Sequence, residues 1–244
     1  MAEGPMSDAE ALAGFIDKWR ERWPEWRIAE VFVQQDQRQA CVAWFALQQE
    51  LAEAAWGGRD PLPGEAKLGW WAEELQGWSQ GRRRHPLGIV LQRLPAPWLQ
   101  LATGLPALVA SREAAADAEQ AAGLLLPLSR AIAAVDESVL GAATESDASA
   151  FVLMAMHLLL RGEAAVPLQL RARLGGASGN EALAREWAAG LLLAPIATRR
   201  GARPVRIRQG VLRERLRRFA AGRPRLQPLP AVVALRTAWT AARA

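Results

Sequence analysis

"GEAKLGWWAEELQGWSQGRRRHPLG", Gly64–Gly88, decides how this chain folds. At helical spacing Leu68, Trp71, Leu75 and Trp78 fall on one stripe, which is the pattern of an amphipathic helix and not the alternation of a strand. Glu73 and Glu74 sit beside or opposite that stripe and read as a face turned to solvent. The run Gly81–Arg84 then breaks the pattern, and His85-Pro86 starts a second helix, because proline's fixed φ suits a first turn. The stretch therefore predicts a helix from about Glu65 to Gln80, a basic connection, and another helix.

The same pattern extends in both directions. "SDAE", Ser7–Glu10, is a capping box opening a first helix that runs to about Trp23. A short helix is expected from Glu25 to Val33. Asp36 reads as the cap of a third, whose Ala40, Ala43, Trp44, Leu47, Leu51 and Ala54 share one face. Gly57–Gly64 reads as a loop. Beyond Gly88, prolines 95, 97 and 106 predict short helices. A longer one is expected over Ala115–Leu140, and the most apolar one over 147–161. Helices near 165–174, 180–194, 210–221 and 231–243 follow, with a basic irregular stretch from Thr198 to Gly210. Ala, Leu and Arg abound, and 51% of the residues are hydrophobic, so a large core built from helix formers is expected. The expected fold class is all-α, as one domain over residues 1–244.

Charge is unevenly spread. Residues 1–120 hold 17 acids and 12 bases, whereas 121–244 hold 8 acids and 18 bases. After Glu186 the only acid is Glu214, so the C-terminal third suits phosphates or an anionic membrane surface. The tryptophans occupy core-type helical positions and do not alternate with the arginines, which argues against nucleic acid. Cys41 is the only cysteine, which excludes an internal disulfide and a cysteine metal site. The longest uncharged apolar run, Ala148–Leu160, has 13 residues against the ~20 a bilayer needs. With no leader pattern at the N-terminus, a cytoplasmic protein is expected, with peripheral membrane contact left open.

"RQACVAWFALQQELAEAAW", a Pro/Gly loop, "AKLGWWAEELQGWSQG" and "HPLGIVLQ", in that order, resemble the squalene/phytoene synthase family over about Phe32–Gln92. Arg38, the Ala43–Leu47 segment, Trp70–Leu75 and His85-Pro86 carry the likeness, and "RRGARPVRI" from Arg199 is similar to a later family stretch. The resemblance implies an isoprenoid-synthase-like helical bundle around a central cavity. It also implies condensation of prenyl diphosphates, in which paired carboxylates one turn apart on two helices hold Mg²⁺. Here the expected aspartate positions fall at Ala52 and Trp56, and at Leu193 and Ala197. The first has only Glu50 and Glu53 nearby. For the second the nearest acids are Glu181 and Glu186.

The chain thus resembles diverged members that lack the aspartate-rich motifs, a branch that includes an assembly factor for respiratory complex I. No metal or other cofactor is expected. The implied function is binding of an isoprenoid or lipid ligand, or service to a protein partner. The alternative is an active prenyl-diphosphate transferase with relocated carboxylates, which would require Glu50 or Glu53 to face Asp136, Glu181 or Glu186 across a pocket. Trp44, Gln48, Glu53 and His157 are the candidate ligand-pocket residues, and Arg199, Arg200 and Arg203 the candidate anion-binding residues. His157, with no acid or nucleophile in its pattern, reads as lining or core. Cys41 reads as packing, His85 as a cap, and serines 111, 129 and 149 lack a nucleophile's context.

Overall fold

A computed structural model describes residues 7–174, 179–193 and 201–244. Among them the chain is all-α: α1 Asp8–Arg22, α2 Trp26–Ala29, α3 Gln35–Trp56, α4 Pro61–Ser79, α5 Gly88–Leu91, α6 Trp98–Gly104, α7 Pro106–Ala110, α8 Ala118–Leu140, α9 Ser146–Arg161, α10 Leu168–Leu174, α11 Asn180–Leu193, α12 Arg203–Ala220 and α13 Ala231–Arg243. Single 3₁₀ turns follow α2 and α9. The predicted capping box forms. Ser7 Oγ accepts from the Glu10 amide at 3.2 Å, and Glu10 returns a 2.8 Å bond to the Ser7 amide.

The centre belongs to α3, which is buried on every side from Cys41 to Gln49. A helix buried all round must meet partners on all faces, and α3 packs against α1, α4, α8 and α9. Gly141, at φ +72, ends α8 in the left-handed region that favours glycine. α9 then returns along α8 and meets α12. From Ser146 the helix and its 3₁₀ extension run 20 residues to Ala165, with mean hydropathy 1.3. By length and composition this span is able to cross a bilayer, which the 13-residue run alone did not suggest. However, 67% of its apolar window is buried against the other helices.

Three expectations change. α4 begins at Pro61, because Asp60 accepts from the Leu62 amide at 3.0 Å and turns half of the expected loop into a first helical turn. α12 begins at Arg203, with Pro204 in its first turn, so the end of the basic stretch is helical. Asp36 is not the cap of α3. That position is Gln34, and Asp36 stands in the first turn.

The fourth change concerns the opening stretch. Glu73 is exposed, but Glu74 is 1% exposed. One Glu74 oxygen accepts from Trp78 Nε1 and from the amides of Arg84 and His85 at 2.7–2.8 Å, and the other from Arg84 Nε at 3.1 Å. Burial alone would raise this carboxyl, but those donors overcome it and hold it below its ordinary value. The acid is thus the lock of the α4–α5 junction. His85 caps the next turn through Nδ1, which accepts from the Leu87 amide at 3.1 Å. Its ring packs against Phe15 and Trp71, with centroids 4.5 and 4.6 Å away. Gly88 is required there, since a Cβ would lie 2.9 Å from Trp78 Nε1.

Candidate functional site

The four ligand-pocket candidates stand in three different surroundings. Trp44 and Gln48, one turn apart on α3, enter the polar centre of the bundle. Trp44 Nε1 donates to Asp136 Oδ1 of α8 at 2.6 Å, and Gln48 Oε1 accepts from Arg208 Nη1 of α12 at 2.5 Å. Arg208 also reaches Met156 Sδ at 3.2 Å and lies over the Phe45 ring. Burial drives Asp136 up to about 7, against the Trp44 bond and the charge of Arg208. Burial likewise lowers Arg208 to about 10, which leaves it a cation at neutral pH. Cys41 is buried beside this group. Its thiol is pushed up by desolvation and the Asp136 charge, so it has little thiolate to react with.

Glu53 opens outward, onto a cleft of about 660 Å³ shared with Arg22, Asp60 and Lys67. It pairs with Arg22 at 2.5 Å and accepts from Gln49 at 2.7 Å. Burial still leaves it above its ordinary value. His157 stacks on Trp56 with centroids 4.8 Å apart and lines a cavity of about 20 Å³ with Ser111 and Trp187. Burial, then Arg161 and Arg112, lowers it to about 3. His157 is thus a neutral, enclosed ring whose Nε2 has no partner among the described residues.

At the first expected metal position, Ala52 and Trp56 are 1% exposed, and the Trp56 indole donates to Ser111 Oγ at 3.1 Å. At the second, Leu193 is 85% exposed, and Ala197 lies outside the described residues. The acids that relocation would need are dispersed. Glu50 pairs with Lys67, Glu53 with Arg22, Asp136 bonds Trp44, and Glu181 pairs with Arg185 in a separate cleft lined by Arg161 and Arg225. Among the described residues, no three of His, Cys, Asp and Glu gather at one point.

Arg199 and Arg200 lie outside the described residues, and Arg203 is exposed on the first turn of α12. The neighbouring arginines have structural duties. Arg206 donates to the Gly201, Ala241 and Ala242 carbonyls, closing the end of α13. The apolar side of α12, with Val211, Leu212, Leu216 and Phe219, docks on the core.

One further site has the chemistry of a binding groove. It lies between α1, α3 and α5 and encloses about 730 Å³, within the roughly 300–1,000 Å³ of small-molecule sites. Leu12 and Ile16, one turn apart on α1, form its floor with Val42 of α3 and Ile89 of α5. Arg20, Arg38, Arg83 and Arg93 stand around it, each continuing one of those helical rows or the loop before α5. Two are neutralised: Arg83 by Asp8 at 2.8 Å, and Arg20 by Asp17 and Glu30 at 3.2 and 2.9 Å. Arg38 and Arg93 have no carboxylate partner among the described residues. Among those residues Arg38 donates only to the Val33 carbonyl, at 3.3 Å, and its Nε–H is buried and unsatisfied, as is that of Arg20. An apolar floor under two uncompensated guanidinium groups suits an amphiphile with an anionic head.

Of these residues, sequence reasoning singled out only Arg38, through the family likeness. The Leu12–Ile16–Arg20 row was visible at i, i+4 and i+8, but nothing local said that it would face α3 and α5. No family model and no curated protein matches the chain.

Proposed function

We propose that this protein is a squalene/phytoene synthase-like helical protein that binds an isoprenoid or lipid and does not carry out metal-dependent condensation. The groove between α1, α3 and α5 takes the ligand. Its apolar floor receives the chain, and Arg38 and Arg93 receive a phosphate, diphosphate or carboxylate head. The observation that carries this reading is the pair of guanidinium groups, Arg38 and Arg93, that stand beside an apolar floor without a carboxylate partner among the described residues, because an anionic head satisfies such groups through charge-assisted hydrogen bonds.

Ionisation of a prenyl diphosphate needs the leaving group neutralised by a metal held on carboxylates. The family's first such position is occupied by packed Ala52 and Trp56, and the groove's acids, Asp8 and Asp17, are tied to Arg83 and Arg20. The test is diphosphate release from farnesyl diphosphate with Mg²⁺ present. The reading expects no release. Turnover at a rate set by Mg²⁺ would replace it with a transferase.

A further inference from the structure

The C-terminal helix α13 is packed inside out. Its buried residues are the small ones, Ala234 and Ala238, 1% and 0% exposed. They lie against α12, where Gly210 allows close approach to Thr237 and Ala241. Val233 is half-buried against the core, but three large apolar residues point outward. Val232, Leu235 and Trp239 are 79%, 48% and 51% exposed, and their spacing of i, i+3 and i+7 puts them on one face. The face continues onto the 3₁₀ turn after α2, where the Phe32 ring meets Trp239 at 5.8 Å and Val31 is 59% exposed. The close approach of α12 and α13 admits only small side chains on the inner face, and the large ones stay outside at a cost in apolar exposure.

What surrounds the stripe selects its occupant. Residues 215–244 contain no acid. Arg236 and Arg243 lie on α13 itself, with Arg243 over the Trp239 ring at 5.0 Å. Arg27 stands exposed one turn before Val31. None of the three has a carboxylate partner among the described residues. Bulky apolar side chains including a tryptophan, flanked by unneutralised arginines, match the headgroup boundary of an anionic bilayer. A protein partner would need a matching acidic rim, which this chain does not offer to a second copy of itself at this face.

From this geometry we infer that the α13 stripe is a peripheral docking surface for anionic membranes. Val232, Leu235 and Trp239 enter the headgroup boundary while Arg236 and Arg243 hold lipid phosphates. The helix lies on the membrane, since its 13 residues are too few to cross. This inference rests on α13 and the adjoining α2 turn and is independent of what fills the α1–α3–α5 groove.

The experiment is co-sedimentation of the full chain with vesicles of phosphatidylcholine alone, or of phosphatidylcholine and phosphatidylglycerol in equal parts. Binding to the anionic vesicles is expected, weakened by salt, with little binding to the neutral ones. V232S/L235S/W239S is expected to weaken binding by more than about tenfold, with an unchanged circular dichroism spectrum. R236E/R243E, which leaves the apolar stripe in place, is expected to do the same and serves if the first variant misfolds. Three results would overturn the inference: no binding to anionic vesicles, equal binding by the parent and R236E/R243E, or a salt-resistant dimer of the parent that the triple variant dissolves.

Discussion

Two arginines on α12, two turns apart, are both buried, and their surroundings could hardly differ more. Arg215 meets Glu25 through two bonds, at 2.8 and 2.6 Å, donates to the Arg22 carbonyl at 3.1 Å, and lies over the Trp23 ring at 3.9 Å. Glu25 also accepts from the Leu229 amide at 2.8 Å. Each charge is fully answered, and the pair staples the chain before α2 to α12 and to the approach of α13. Among the described residues, Arg208 donates only to Gln48 and Met156. Asp136 is close enough to raise its pKa but forms no ion pair with it, and takes its own hydrogen bond from Trp44. Full matching makes the Arg215–Glu25 pair structural, while at the second site burial without a matched ion pair drives Asp136 up to about 7 and Arg208 down to about 10.

Breaking the staple should have the largest effect. Arg215→Met strands the Glu25 carboxylate and should lower stability by about 3–5 kcal/mol, measured by denaturant unfolding. Next comes Asp136→Asn. The folded Asp136 value, about 7, lies above that of the unfolded chain. Its proton therefore stabilises the fold fully below the unfolded value, and that contribution is lost as pH rises from about 4 to about 7. His85 and His157, held down at about 4 and about 3, act in the opposite sense. Their contribution is present above the unfolded histidine value and lost as pH falls through that range. Subtracting the variant's pH profile from the parent's removes the histidines. The remaining difference should move in the variant's favour by about 2–4 kcal/mol between pH 4 and 7. A flat difference would mean that Asp136 is as well matched as Glu25.

A smaller loss, below about 2 kcal/mol, is expected of Arg208→Met, because removing a poorly matched buried cation returns part of its desolvation cost. The same variant should push Asp136 higher still, a shift visible in the carboxyl resonance of labelled protein. If Arg208→Met costs as much as Arg215→Met, the contrast between the two sites fails. The least effect on stability, within about 0.5 kcal/mol, should come from Arg38→Gln with Arg93→Gln, although this pair should impair ligand binding.

Periodicity in the sequence exposes most of the fold. α1 with its capping box, the apolar face of α3 and the Leu68–Trp78 stripe of α4 are local patterns, and local patterns survive folding. What stayed hidden was nonlocal. The backbone amides that hold Glu74 sit ten and eleven residues downstream, so its charge read as a solvent face. Arg208 read only as part of a basic irregular stretch, and nothing marked Arg215, because their partners, Gln48 and Glu25, are 160 and 190 residues away. The groove fared likewise, since α1, α3 and α5 each hold only a fragment of it.

The central claim is that an anionic amphiphile sits in that groove without metal. Calorimetric titration of farnesyl diphosphate into the protein in EDTA tests it most directly. Saturable binding to the parent, weakened by about tenfold or more in the Arg38→Gln and Arg93→Gln double variant, is the predicted result. Binding that appears only with Mg²⁺, or that is equal in parent and variant, would contradict the account.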